Sequence, residues 1–241
     1  KMNKTSKSEL LSDVLRQEHN TEPLRSEGQG GEEMYCWRDL ANRTHKTLHS
    51  YLRERGEQVI MDGYTQRLME YLARWYCGDN QDVADKVKLH KGWLIRGSVR
   101  VGKSKLLTSF CKAVNADFYD EIKRRQAPAI RFVHSFDVQT AYIEQNTATI
   151  EALKSIDILV IDDVGVENSE VLYYGNRLCP FVDLYDKRYR SDLRTILITN
   201  LLPKSDDEKE VTLRSKYGDR IYDRIRECCN DFVFEGESKR K

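Results

Sequence analysis

The chain has 241 residues and carries 40 lysines and arginines against 39 aspartates and glutamates, a formal net charge of +1. This length predicts one large domain with appendages, and the balanced charge excludes a protein that attracts nucleic acid through its overall field. The six cysteines show no paired C-x-x-C spacing, which argues against a zinc site and a disulfide framework. No apolar run reaches the length of a membrane span, so we expect a cytoplasmic protein without a membrane partner.

Residues 1–33 are polar and rich in serine, glutamate and glycine. This composition predicts a flexible N-terminal partner-binding segment, which is followed by a folded domain over residues 34–241. One short helical pattern inside the segment places apolar side chains on one face, namely Leu10, Leu11, Val14 and Leu15. Such a helix either docks on its own domain or binds a partner in a groove, and the pattern leaves both interpretations open.

Helical periodicity dominates from Met34 to Cys77. Within it, apolar and aromatic residues recur on one face at Tyr64, Leu68, Tyr71, Leu72 and Trp75. This stripe predicts packing in the core rather than a platform for stacking nucleic-acid bases.

The stretch from Trp93 to Ser104 predicts a short apolar strand, a glycine loop and the first turn of a helix, which is the context of a phosphate-binding P-loop. Gly97 and Gly102 allow a tight curl in which successive N–H groups point at one anion. Lys103 adds a mobile charge for the outer phosphates, and the Ser104 hydroxyl can hold Mg²⁺. ATP or GTP is therefore the expected ligand. The predicted nucleotide-binding residues are Gly97, Ser98, Val99, Arg100, Val101, Gly102, Lys103, Ser104 and Lys105.

A basic triplet, Lys123 to Arg125, follows the P-loop helix and is either a contact for a nucleic-acid backbone or ordinary soluble surface. After it, residues 129–134 predict a second strand and residues 136–145 a helix.

Two carboxylates close the next apolar run, which spans residues 156–163 and predicts a buried parallel strand. Asp162 at this strand end can hold the water shell of the Mg²⁺ that Ser104 contacts. Asp163 beside it can polarise an attacking water. The acidic pair therefore supports a nucleotide site over a plain glycine turn.

A basic helix around residues 181–190 precedes the strand Arg194 to Asn200. Polar side chains at the carboxyl end of a parallel strand face the ligand crevice, so Asn200 can hydrogen-bond the γ-phosphate or the attacking water. Alternatively, Thr199 and Asn200 only begin a turn.

The last part of the chain contains a helical stretch that places Arg220 and Arg224 one turn apart on the same face. Two guanidinium groups so placed can serve an anion that their own subunit does not hold. Residues 231–234 predict a final strand, and a charged tail follows.

These motifs occur in the order P-loop, Asp162 to Glu167, Thr199-Asn200, and Gly218 to Arg224. In this order they resemble the AAA+ ATPases of the DnaC and DnaI type, which are bacterial helicase loaders, and the related IstB transposition helpers. The resemblance covers roughly residues 60–235. It implies an α/β fold, the three-layer sandwich of a P-loop NTPase of the AAA+ class, with a five-stranded parallel sheet flanked by helices. Because the chain stops soon after its last strand, we expect no C-terminal helical lid.

The resemblance also implies roles for individual residues. Lys103 and Ser104 would bind ATP and Mg²⁺, and Asp162 would bind Mg²⁺. Asp163 would be the catalytic carboxylate, Asn200 the sensor residue, and Arg224 an arginine finger that reaches the ATP of a neighbouring subunit. Many AAA+ proteins have glutamate at the position of Asp163, and the shorter side chain predicts slow hydrolysis.

The expected function is therefore that of an ATP-dependent DNA replication factor that loads a hexameric replicative helicase onto single-stranded DNA. It would hydrolyse ATP slowly, stimulated by DNA or a partner, at the interfaces of an ATP-dependent homo-oligomer. Three alternatives remain open at this stage. One is an IstB-like helper of DNA transposition with a transposase as partner, the second is a largely non-hydrolysing, ATP-switched DNA-binding scaffold, and the third is a small-molecule P-loop kinase.

Overall fold

The computed structural model describes residues 37–58, 60–116, 128–207 and 209–235. The predicted N-terminal segment and the basic triplet at Lys123 to Arg125 lie outside these ranges. The helices are α1 (Trp37–Arg53), α2 (Gly63–Cys77), α3 (Lys103–Ala116), α4 (Ser135–Ile143), α5 (Thr147–Ser155), α6 (Pro180–Arg190), α7 (Leu213–Tyr217) and α8 (Asp219–Cys228). The strands are β1 (Gly92–Gly97), β2 (Ile130–His134), β3 (Ile158–Val164), β4 (Val171–Tyr173), β5 (Asn176–Leu178), β6 (Arg194–Thr199) and β7 (Cys229–Phe234). Within the described ranges, no helix has both the length and the apolar character of a membrane span.

Five strands form one sheet in the order β2-β3-β6-β1-β7, and every neighbouring pair is parallel. Strand β1 pairs with β6 on one side and β7 on the other, so that Ile95 lies opposite both Ile198 and Phe232. The expected five-stranded parallel sheet is confirmed. All five carboxyl ends lie along one edge of the sheet because the strands run in the same direction.

Helices cover both faces of this sheet and form two separate hydrophobic cores. Alternate residues of one strand enter different cores: Trp93 and Ile95 belong to the first, and Leu94 belongs to the second. Helices α1, α2 and α3 supply the first core, whereas α4, α5, α6, α7 and α8 supply the second. This is the expected three-layer sandwich. The aromatic stripe of α2 lies in or against the first core, which confirms that it packs inside the protein.

Besides the five-residue helix α7, two elements were not expected from the sequence. The first is helix α5, which begins where the Asn146 side chain accepts a hydrogen bond from the N–H of Thr149 at 3.1 Å. The second is a hairpin in which β4 pairs antiparallel with β5 through a turn at Tyr174 and Gly175, both with positive φ. The hairpin lies between β3 and α6, so it follows the acidic strand directly in the chain.

Arg188 differs from Lys187 and Arg190, the exposed basic residues of α6, because its side chain is completely buried. It donates hydrogen bonds to the Thr195 hydroxyl (2.9 Å) and to the carbonyl oxygens of Leu153 (2.9 Å), Ile156 (2.7 Å) and Arg194 (2.7 Å). Arg188 therefore joins α5, α6 and β6 at the end of the sheet where β3 and β6 begin. Burial lowers the pKa of Arg188 to about 10.

Candidate nucleotide site

A cavity of about 380 Å³ opens at the carboxyl edge of the sheet, where β1, β6 and β3 are neighbours. Most of the predicted site residues line it, namely Val99, Arg100, Gly102, Lys103, Ser104, Lys105, Asp162, Asp163 and Asn200. The residues come from three segments that are far apart in the sequence. The parallel strand order brings them together, as expected for ligand sites in sheets of this kind.

Gly97 and Gly102 are required in the loop for different structural reasons. Gly97 has a φ of 150°, and a Cβ at this position would collide with the carbonyl oxygen of Phe234 on β7. Gly97 is thus required by the neighbouring strand as well as by the curl of the loop. Gly102 has a φ of 105°, a conformation that residues with side chains rarely adopt. Val101, between them in the chain, is buried in the first core and anchors the loop.

Lys103 opens helix α3 and turns its side chain back toward the loop. Its ammonium donates to the carbonyl oxygens of Gly97 and Ser98, both at 2.7 Å, and to Asn200 Oδ1 at 2.8 Å. The residue is buried, and burial lowers the pKa of Lys103 to about 8 despite the opposing effect of Asp162 and Asp163. A cation is therefore held inside the loop by three neutral acceptors, which phosphate oxygens can replace.

Ser104 and Asp162 contact one another across the cavity. The Ser104 hydroxyl donates to Asp162 Oδ1 at 2.9 Å. Asp162 is 1% exposed, and among the described residues its Oδ2 has no hydrogen-bond partner. Burial, and then the nearby Asp163, raise the pKa of the Asp162 carboxyl above its ordinary value. An unpaired buried carboxylate oxygen beside a hydroxyl fits a hard divalent cation such as Mg²⁺.

Asp163 follows at the end of β3 with a φ of 54°, an uncommon conformation for a residue other than glycine. Its side chain is about half exposed toward the cavity, in contrast to the buried Asp162. The β3 backbone thus changes conformation between the two carboxylates. One carboxylate is enclosed beside Ser104, and the other is open to solvent, where it can reach a water molecule.

His134 is a site residue that the sequence analysis missed. It ends β2, it lies opposite Asp162 in the strand register, and it lines the cavity. Its Nδ1 lies 3.6 Å from Asp162 Oδ2 and 3.9 Å from Asp163 Oδ2. The signal that could have found it is the one that identified Asn200, a polar residue at the carboxyl end of a strand.

The sequence left open whether Thr199 and Asn200 form a turn or face the ligand, and in the structure each residue does one of the two. The Thr199 hydroxyl donates to the carbonyl of Val164 at 2.6 Å and accepts from the N–H of Leu201 at 3.0 Å, so it organises the turn. Asn200 instead faces the cavity and accepts the hydrogen bond from Lys103. Its amide is thus placed next to the lysine that is expected to contact the outer phosphates.

The other end of the cavity is apolar and comes from α1 and the segment that leads to α2. Leu48, Leu52 and Ile60 line this end, and Glu57 forms an ion pair with Lys105 in the first turn of α3. These helices precede the P-loop in the sequence and carry no recognisable nucleotide motif, so their contribution was not predicted. An apolar end beside a polar end matches the base and the phosphates of a nucleotide.

Arg224 is not among the residues that line this cavity. It lies on α8, forms an ion pair with Asp186 of α6, and places its guanidinium 4.3 Å from the centre of the Tyr189 ring. Arg220 also contacts Asp186, at 3.1 Å, and its side chain is 65% exposed, whereas that of Arg224 is only 16% exposed. The arginine finger therefore stays a prediction that concerns a second copy of the chain.

The site has the core arrangement of a P-loop NTPase. A glycine loop lies between β1 and α3, an acidic pair lies on β3, and a polar residue follows the adjacent β6. Solved structures of similar fold agree with this arrangement. The chain is similar to the DnaC helicase loader, with a TM-score of 0.50 and 18% identity over 73% of this chain and 94% of that one. It is equally similar to DnaI, with a TM-score of 0.50 and 18% identity over 86% of this chain and 95% of that one.

No family model and no curated protein sequence matches the chain. At the level of fold, the structural similarities nevertheless agree with the order of the sequence motifs. The protein thus has the AAA+ ATPase fold of DnaC and DnaI.

Proposed function

We propose that this protein is an ATP-dependent DNA replication factor that loads a replicative helicase onto single-stranded DNA. The observation that carries the proposal is the convergence of Lys103, Ser104, Asp162 and Asn200 on one cavity. The similarity of the surrounding fold to the DnaC helicase loader supports the choice of a loader over other P-loop proteins.

The triphosphate of ATP occupies the polar end of the cavity. There it accepts hydrogen bonds from the loop amides and from the Lys103 ammonium, which exchanges its present carbonyl acceptors for phosphate oxygens. Ser104 and Asp162 hold the Mg²⁺ that accompanies ATP, and this ion supplies positive charge against the phosphates. The apolar residues of α1 enclose the base.

Asp163 orients and polarises the attacking water, and Asn200 fixes the position of the terminal phosphate. The carboxylate of Asp163 is accessible, yet its side chain is one methylene shorter than glutamate. Proton abstraction depends on heavy-atom distances of about 2.6–3.2 Å, so a shorter reach slows hydrolysis. The ATP-bound state is then long-lived, which suits a protein that acts as an assembly switch.

Arg224 completes the site of an adjacent subunit. In the isolated chain Asp186 holds its guanidinium, so assembly requires Arg224 to exchange this carboxylate for the phosphates of the neighbour. An arginine finger supplied by another subunit contributes about 10³- to 10⁵-fold to the rate of phosphoryl transfer in comparable enzymes.

Complementation between two inactive variants tests this shared site. Asp163→Asn keeps Arg224 and lacks the carboxylate, whereas Arg224→Ala keeps the carboxylate and lacks the finger. Each alone should be inactive, and an equimolar mixture should recover part of the wild-type ATPase rate because some interfaces then contain both groups. Arg226→Ala is the matched control, since Arg226 is an exposed arginine of the same helix. A mixture that stays inactive, or wild-type turnover per chain that is independent of protein concentration, contradicts the shared site.

The partner is tested by affinity capture with the intact chain and with a version that lacks residues 1–33. Recovery of a hexameric helicase by the intact chain alone supports helicase loading and a partner-binding role of that segment. Recovery of a transposase favours a helper of transposition instead. Phosphate release with and without single-stranded DNA then distinguishes a hydrolysing loader from a non-hydrolysing scaffold.

A further inference from the structure

Three potential metal ligands converge at the edge of the sheet where β2 and β3 end. They are His134 Nδ1 and one carboxylate oxygen each of Asp162 and Asp163, and all three atoms lie within 4.8 Å of one another. The pairing of β2 with β3 sets His134 directly opposite Asp162, so the backbone register fixes the imidazole beside the acidic pair. Within the described part of the chain, this is the sole group of three such residues.

An independent feature of Asp162 indicates that this group lacks a partner. Ser104 occupies Oδ1, whereas Oδ2 is buried and accepts no hydrogen bond from any described residue. This Oδ2 is the carboxylate oxygen that lies 3.6 Å from His134 Nδ1. A buried acceptor without a partner destabilises the fold. A cation bound between the carboxylate and the imidazole would remove this destabilisation.

We propose that His134, Asp162 and Asp163 form a binding site for a divalent transition metal, and that this site can be filled before nucleotide binds. Metal bonds of about 2.1 Å place neighbouring ligands of a tetrahedral ion about 3.4 Å apart. The nitrogen-to-oxygen distances of 3.6 and 3.9 Å are slightly longer. Because the side chains of His134 and Asp163 are both about half exposed, small rotations can close the difference.

The donor set determines the class of metal. Magnesium prefers six oxygen ligands, keeps several waters and depends on phosphate oxygens in nucleotide sites. An imidazole nitrogen with two carboxylates instead suits a transition metal: Zn²⁺ binds both imidazole and carboxylate, and Mn²⁺ binds the carboxylates. His134 therefore gives this chain a cation site that needs no phosphate. It shares Asp162 with the Mg²⁺ site beside Ser104.

The test is a titration of the nucleotide-free, full-length protein with Mn²⁺. Binding is measured by electron paramagnetic resonance, in which the signal of the free ion decreases as Mn²⁺ binds. We expect one Mn²⁺ per chain and a pulsed-resonance coupling to one imidazole nitrogen. His134→Gln should abolish that coupling and weaken Mn²⁺ binding by at least about tenfold. His90→Gln is the matched control, because His90 is exposed just before β1, at the opposite end of the sheet, and should change neither signal.

Two further variants test whether the bound Mn²⁺ lies at this site. Asp163→Asn should also weaken Mn²⁺ binding, so the inference does not depend on whether one variant folds. The alternative metal ligands are His45 and His49 on α1, whose Nε2 atoms are 3.0 Å apart. If the double variant His45→Gln, His49→Gln loses the Mn²⁺ while His134→Gln keeps it, the inference is overturned.

Absence of Mn²⁺ binding by the wild-type protein without nucleotide also overturns it. The outcome is separate from that of the proposed function. A chain that binds Mn²⁺ through His134 but fails to bind ATP would support the metal site and refute the loader. A chain that binds ATP together with Mg²⁺ but binds no metal in the absence of nucleotide would refute the metal site and leave the proposed loader intact.

Discussion

We expect the buried ammonium of Lys103 to make the affinity for ATP depend on pH. Burial lowers its pKa to about 8 in the free protein, well below the ordinary value for lysine. A bound triphosphate favours the charged form, so the pKa rises on binding. Above pH 8 the free protein must take up a proton in order to bind, and affinity therefore falls as pH rises.

The size of the effect follows from the protonated fraction of Lys103, which drops from about 90% at pH 7 to about 10% at pH 9 for a pKa near 8. The dissociation constant for ATP should thus rise about tenfold over this range, equivalent to about 1.4 kcal/mol. The phosphates themselves contribute little, because their last ionisation lies near pH 6. Binding of a fluorescent ATP analogue, measured at intervals from pH 7 to pH 9, gives the slope directly.

Lys103→Arg is the control for this slope. Its guanidinium stays charged over the whole range, so the affinity of the variant should be flat with pH whatever its absolute value. Wild-type affinity that does not change between pH 7 and pH 9 would refute the reasoning. An equal slope in Lys103→Arg would refute it as well, since another group would then be responsible.

Two predictions concern stability, and both are measured by urea unfolding. Arg188→Met removes five hydrogen bonds, four of them at 2.7–2.9 Å and worth about 1 kcal/mol each, partly offset by the relief of a desolvated charge, so we expect a loss of about 3 kcal/mol. Lys187→Met, at an exposed position of the same helix, should change stability by less than about 0.5 kcal/mol, and equal losses would contradict the role of Arg188. Gly97→Ala forces a methyl group against the Phe234 carbonyl and should cost at least about 2 kcal/mol. Gly63→Ala, where a methyl group meets no atom within 4 Å, should cost little; similar values for both would contradict the steric argument.

The sequence predicted the elements whose residues are apolar over a whole strand or helix face. All five strands of the main sheet were expected, and their ends differ by one to a few residues, as at β7, which begins at Cys229 rather than Asp231. The hairpin was missed because each strand has only three residues and no alternation can be recognised over that length. Helix α5 was missed because its apolar face is narrow: Ile150 and Leu153 are its buried apolar residues, whereas α4, of the same length, was predicted.

Side-chain environments were harder to predict than the elements that carry them. Arg188 is adjacent in sequence to the exposed Lys187, and only the tertiary structure shows that one is buried among carbonyl groups. The environment of Arg224 was equally hard to predict, because its ion pair with Asp186 joins α8 to α6, and β6 and α7 separate these helices in the chain. Local composition does not encode such pairings. They depend on which helices share one face of the sheet.

The arrangement of the candidate site follows from strand order rather than from motif order. Along the chain the P-loop comes first, then the acidic pair, then Asn200. In the sheet, however, β6 lies between β3 and β1. Asn200 at the end of β6 is therefore the residue that stands between the acidic pair and the lysine, and it is Asn200 that accepts the hydrogen bond from Lys103. The outermost position beside β3 belongs to β2, which explains why His134 meets Asp162 and Asp163 from the other side. A polar residue at a strand end thus acquires its neighbours from the topology of the sheet, so the sequence could identify Asn200 as a candidate without showing what it contacts.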